Sequence, residues 1–108
     1  MVHMLKIEKS RYIAFRLHSS GPVNWYNLRD AVIEALERWL GQNGLALARV
    51  EIIRNLWDAK TQIGVLKCSN KYVDDVKVGL GLLNQIGDQK VVFQTYRVSG
   101  TIKGVKND

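Results

Sequence analysis

The hydrophobic period of this chain switches twice between two residues and about 3.6, and that alternation restricts the fold more than any other feature. Over Tyr12–Ser19 apolar and polar residues alternate, placing Ile13, Phe15 and Leu17 on one face and Tyr12, Arg16 and His18 on the other. Such a segment is a half-buried strand. Ser20-Gly21-Pro22 breaks it, and Asn24 is positioned to cap a helix running to about Leu40, with Gly41 and Gly44 available to end it. Within that helix Leu28, Val32, Ala35, Leu36, Trp39 and Leu40 recur at three, four and seven, leaving Asp30, Glu34, Glu37 and Arg38 largely outside the apolar stripe.

The pattern then returns to strand. Leu45 to Trp57 is apolar and β-branched, Asp58-Ala59-Lys60 supplies a turn, and Thr61 to Cys68 completes a hairpin. Ser69 or Asn70 caps a second helix in which Val73, Val76, Leu80 and Leu83 keep helical spacing, with Gly87 at a C-terminal cap position. Gly79 and Gly81 each cost about 1 kcal/mol relative to Ala inside a helix, so close backbone packing is expected to compensate. A last strand begins near Lys90 and runs to Val98, and Ser99-Gly100-Thr101 reads as a tight backbone feature ending it.

Strand, helix, strand, strand, helix, strand is the split βαβ order, so the expected fold is α+β, ferredoxin-like or RRM-like. It has a four-stranded antiparallel sheet with two main helices on one face and the other face open to a partner. The 108 residues suffice for one such core. Residues 1–10 are read as a partly disordered N-terminal segment, 11–103 as the single domain, and 104–108 as a basic C-terminal tail. Met1-Val2-His3-Met4 holds a second candidate start. No apolar run approaches the roughly 18 residues of a membrane span, no signal-peptide stretch follows the N-terminus, and the expected compartment is cytoplasmic.

Charge distribution points toward a polyanion. The formal net charge is +6, yet residues 24–43 carry −1 and residues 70–86 carry 0, leaving +7 on strands, loops and termini. Positive charge kept off the covering helices is the footprint of a phosphate-contacting sheet or edge; a solubility or ion-pair surface is the plainer alternative. Arg16 shares the outward phase of Tyr12 and His18, and Lys67 and Arg97 lie on later strands. Tyr12 is placed to stack on a base. The third strand, Gln62-Ile63-Gly64-Val65-Leu66-Lys67-Cys68, lacks the aromatic pair of a typical RNA-recognition module, which disfavours sequence-specific single-strand reading.

Catalytic signals are weak by comparison. Asp30, Glu34 and Glu37 form an acidic stripe better read as a solvated helix face, because Arg38 follows Glu34 at i+4. Asp74 and Asp75 point about 100° apart and suit the first turn of a helix. Cys68 is the single cysteine, and it forms no zinc-ligand pattern with His3 and His18; no metal or catalytic residue is expected. A nucleophilic Cys68 would require His18 beside it in space. Among apolar residues, Trp57 lies beside a turn, and Val78 and Leu82 form a pair off the main stripe of the second helix. These three are the candidate protein contacts.

Gly64-Val65-Leu66-Lys67-Cys68-Ser69, followed by a helix and then Val91-Val92-Phe93 to Val98-Ser99-Gly100-Thr101-Ile102-Lys103, resembles the archaeal ribonuclease P protein component 2 family, homologous to a eukaryotic ribonuclease P and MRP subunit. The resemblance runs from Arg11-Tyr12-Ile13 to the basic C-terminus. It implies a non-catalytic subunit that binds a catalytic RNA, which removes 5′ leaders from precursor tRNA using Mg2+. The implied partners are the ribonuclease P RNA, precursor tRNA through the holoenzyme, and the barrel-shaped protein component 3, as a dimer of heterodimers. Lys67 and Lys103 lie in the matching motifs and Arg11 beside the first strand; with Arg16 and Arg97, added on charge and phase, they are the expected RNA contacts.

Two other functions fit the architecture. A small acyl phosphate hydrolase requires a phosphate cradle with an arginine after the first strand, whereas His18-Ser19-Ser20-Gly21-Pro22-Val23 has no arginine, and its proline removes a donor. A metabolite-binding module that homodimerises through its sheet requires an unobstructed sheet face and a small-molecule site.

Overall fold

In the computed structural model, residues 9–106 are described, and the expectations for residues 1–8, 107 and 108 fall outside them. The elements are β1 (Ser10–Ser19), α1 (Trp25–Ala48), β2 (Glu51–Ile52), β3 (Ile63–Ser69), α2 (Val73–Gly81), β4 (Gln85–Ile86), β5 (Gln89–Ser99) and α3 (Ile102–Lys106). All pairings are antiparallel, in the order β2-β3-β1-β5-β4. The sheet therefore has five strands rather than the expected four. The extra strand, β4, arises where a longer second helix was expected. Helix α2 stops at Gly81, and Gln85–Ile86 pairs with Gln89–Lys90 around a two-residue turn. Gly87 adopts φ 60° in that turn, so it is a hairpin residue and not a helix cap.

β1 lies at the centre and pairs along most of its length with β3 and β5. Its alternation is realised: Ile13, Phe15 and Leu17 are fully buried under α1 and α2, while Arg16 and His18 are exposed on the outer face. The helices close this core through Leu28, Val32, Leu36, Val76 and Leu80. Phe15 stacks on Phe93 at 4.5 Å and on Trp57 at 5.9 Å. Gly64 makes room for that stack, since a Cβ there would lie 2.7 Å from the Phe15 ring and 2.9 Å from Trp57.

Asn24 caps α1 by accepting the Asn27 N–H at 2.8 Å. Gly41 interrupts the helix with φ 76° and ψ 171°, but the chain resumes helical geometry and ends at Ala48 with Arg49 as a left-handed cap. The expected strand over Leu45–Trp57 is accordingly reduced to Glu51–Ile52 and followed by a 3-10 turn, Arg54–Leu56. Leu45-Ala46-Leu47-Ala48 consists of strong helix formers, and Ala48 is fully buried against the core. The Asp58–Lys60 turn is present: the Asp58 carboxylate accepts the Lys60 N–H at 2.8 Å, and Asp58 bridges to Ile63. Ser69 accepts the Lys71 N–H at 3.3 Å and introduces α2 through a 3-10 turn, Asn70–Tyr72.

α3 changes the outer face. Thr101 caps it by accepting the Gly104 N–H at 2.9 Å, and Val105 is buried on Ala14 and Val65, with Tyr12, Ile53 and Leu56 around them. Residues 104–106 belong to this helix instead of a free tail, and the face expected to be open is covered at its middle.

Candidate nucleic-acid interface

Register sets out the outer face. Tyr12, Ala14, Arg16 and His18 of β1 lie opposite Lys67, Val65 and Ile63 of β3 and opposite Ser99, Arg97, Gln94 and Val92 of β5. Arg16, Lys67 and Arg97 thus project from one side of the sheet. Lys103 is exposed on α3, which packs on that side through Val105. Arg11 departs from the group: it has the phase of the core residues, pairs with Cys68 and donates to the Ser10 carbonyl at 3.0 Å at the end of the sheet. Among the described residues, Glu51 lies opposite Lys67 and Asp58 stands at the turn.

The β1–β5 register slips between Ala14 and Phe15, which oppose Arg97 and Thr95, so Tyr96 is an extra residue. Tyr96 keeps the outward phase of Val92 and Gln94 and is 47% exposed, and the bulge brings Arg97 onto the same face beside it. Between Tyr96 and the Asp58 turn lies a groove of about 540 Å³. Ala14, Ile63 and Val65 form its floor; Leu56, Val105 and Tyr96 its walls; and Arg16, Asp58, Thr61, Gln94 and Lys106 its polar rim. Backbone hydrogen bonds from Lys60 and Thr61 hold the Asp58 carboxyl below its ordinary pKa and keep it ionised.

The candidate protein contacts divide. Trp57 is built into the core: its ring stacks on Phe15 and its Nε1–H donates to the Val23 carbonyl at 3.0 Å. Val78 and Leu82 are 48% and 60% exposed, and Trp39 stands nearby over Gly79. Cys68 is buried, and desolvation pushes its thiol up to about 11. It sits opposite Arg11, seven positions along β1 from His18, a separation of roughly 23 Å at strand spacing that forbids a Cys–His pair.

Two features escaped the sequence. One is the bulge in β5, which sets Arg97 on the same face as Tyr96. The other is an aromatic–arginine cluster at the start of α1, where the Arg54 guanidinium lies 4.8 Å from the Tyr26 ring centroid and 5.5 Å from that of Trp25, with Arg29 at 5.2 Å from Trp25. Adjacent Trp25 and Tyr26 with Arg29 one turn on were a visible signal; Arg54 arrives from distant sequence.

Comparison with known proteins decides the family, because residues 11–108 match the Rpp14/Pop5 family. The chain belongs to it. It is 38% identical over 99 residues to ribonuclease P protein component 2 of Thermococcus gammatolerans, covering 92% of this chain and 81% of the relative. With the protein of the same name from Archaeoglobus fulgidus it shares 30% over 102 residues, covering 91% and 85%. A chain in a cryo-EM structure of yeast ribonuclease MRP has the same fold, with a TM-score of 0.65, 12% identity, and coverage of 91% of this chain and 79% of that one.

Proposed function

We infer that this protein is a subunit of ribonuclease P and acts in tRNA processing as part of a ribonucleoprotein. The carrying observation is the similarity to ribonuclease P protein component 2 over 92% of the chain. The family reading and the charge distribution agree, since the cations lie on the sheet face away from α1 and α2. On this reading the chain is a split βαβ unit, ferredoxin-like in its main strands, enlarged by β4 and α3.

The RNA carries the chemistry of 5′-leader removal with Mg2+, and this subunit supplies fixed positive charge. Arg16, Lys67, Arg97 and Lys103 offset phosphate repulsion where RNA helices converge, which lowers the Mg2+ concentration the RNA needs. Arg11 adds a contact at the end of the sheet. Val78 and Leu82, with Trp39 beside them, form the surface offered to protein component 3, in a dimer of heterodimers, and the complex works in the cytoplasm. A metabolite module that homodimerises through its sheet is not favoured, because Val105 occupies the middle of that face.

The test is cleavage of precursor tRNA by the cognate ribonuclease P RNA at limiting Mg2+ with component 3 present, adding or omitting this protein. Stimulation is expected. No stimulation, with both proteins folded and the RNA intact, would refute the assignment.

A further inference from the structure

We propose that the outer-face groove between the Tyr96 bulge, α3 and the Asp58 turn is a pocket for a single unpaired nucleotide extruded from folded RNA. The proposal rests on the RNA-subunit reading and deepens it: phosphate contacts alone need no cavity, and this face has one. A volume of about 540 Å³ with an apolar floor of Ala14, Ile63 and Val65 accommodates a flat heterocycle. Tyr96 supplies an aromatic wall, and Leu56 and Val105 supply aliphatic ones.

The polar rim has groups a base edge can use. Gln94 offers an amide donor, its Oε1 being paired with His18 Nε2 at 2.8 Å, and Thr61 and Asp58 offer acceptor oxygens. Asp58 Oδ1 accepts the Lys60 and Thr61 N–H groups, which fixes the carboxylate at the rim. Arg16 and Lys106 lie at the same rim, so the lining carries two cations against one carboxylate. That balance suits a nucleotide, whose base is neutral and whose flanking phosphates are anionic, better than a neutral metabolite or an acidic peptide.

Extrusion also explains how an RNA-binding face without the usual aromatic pair still uses an aromatic ring. Tyr96 keeps the outward phase of Val92 and Gln94, and the β-bulge beside it sets Arg97 on the same face. Val105 covers Ala14 and Val65, which leaves Ile63, Leu56 and Tyr96 as the more accessible apolar surface of the groove.

The experiment follows backbone amide signals of the full chain by two-dimensional NMR during titration with AMP, GMP, CMP or UMP, with inorganic phosphate as the control ligand. Ribonuclease P RNA binding is measured on the same protein. Mononucleotides are expected to shift Thr61, the 94–97 segment and Val105, whereas phosphate leaves the floor residues unmoved. Tyr96→Ala should weaken mononucleotide affinity about 5- to 150-fold, the loss of one stacked base, and Tyr96→Phe should retain it. Tyr96 is half-exposed, and an unchanged spectrum outside the groove establishes that the variant is folded. Identical shifts with phosphate and nucleotide, or equal affinity of the Tyr96→Ala variant, would overturn the pocket. RNA binding without a mononucleotide response refutes the pocket alone, while absence of both refutes the subunit reading as well.

Discussion

Two glycines two residues apart in α2 should respond to alanine in opposite directions. A Cβ on Gly79 would lie 2.5 Å from Leu36 Cδ2 and 3.2 Å from Trp39 Cδ1, whereas at Gly81 nothing lies within 4 Å. Alanine gains roughly 0.5–1 kcal/mol over glycine within a helix, less at a last helical position such as Gly81. At position 79 overpacking costs roughly 1–3 kcal/mol against that gain. Leu36 is fully buried and has little room to retreat, while Trp39, 46% exposed, can swing outward. The net for Gly79→Ala is a loss of about 1 kcal/mol, lowering the melting temperature by roughly 4–8 °C in a domain of this size. Gly81→Ala should raise it by a few degrees. Urea midpoints at unchanged slope supply a second measure. A Gly79→Ala variant as stable as Gly81→Ala would show that α1 and α2 do not approach at this point, and the helix-packing argument would fail.

Cys68 should resist a thiol-specific disulfide reagent at pH 8 in the folded protein and react only on unfolding, because its thiol pKa is pushed up to about 11 by burial. Its unfolded value is near 9.0, so this group leaves stability unchanged below that pH and lowers it between about 9 and 11, where only the unfolded chain releases the proton; a Cys68→Ala variant should show a shallower loss over that window. Trp57→Ala removes the Phe15 stack and the bond to Val23, and should cost about 3 kcal/mol in denaturant unfolding, since the ring is only partly buried. Val78→Ala and Leu82→Ala should each change stability by no more than about 0.5 kcal/mol yet weaken the pairing with component 3; unchanged pairing in the double variant would remove that surface from the interface.

Legibility followed locality. Ile13, Phe15 and Leu17 were readable because strand alternation is a property of neighbouring residues, and so were the Asn24 cap and the Asp58 turn. Leu45–Ala48 misread as strand because Gly41 is a true break in backbone conformation, and only burial of Ala48 shows that the chain re-enters a helix beyond it. Gln85-Ile86 is too short to show a period, so β4 needed its partner, Gln89-Lys90, to be recognised. The cationic face was legible from phase at Arg16 and from motif at Lys67 and Lys103. The groove was not, since it depends on Val105 folding back over Ala14 and on the Asp58 turn standing across the sheet from Tyr96.

That dependence explains how a small sheet combines broad electrostatics with one shaped site. A five-residue helix has no stability of its own, so α3 exists through its Thr101 cap and the seating of Val105 between Ala14 and Val65. Ala14 is the small residue in an otherwise larger outer-face row of Tyr12, Arg16 and His18, and its size lets α3 approach the sheet. The same approach sets Lys103 and Lys106 on the cationic face and raises the wall that makes a groove out of a flat surface. Across the groove the bulge in the β1–β5 ladder sets Arg97 beside Tyr96 on the same outer face. On the proposed RNA-binding reading, charge spread over the face contributes non-specific affinity, while shape at the groove contributes register. Ala14, Val65 and Val105 are themselves buried, so packing fixes the base of the groove while the exposed cations around it carry no such constraint.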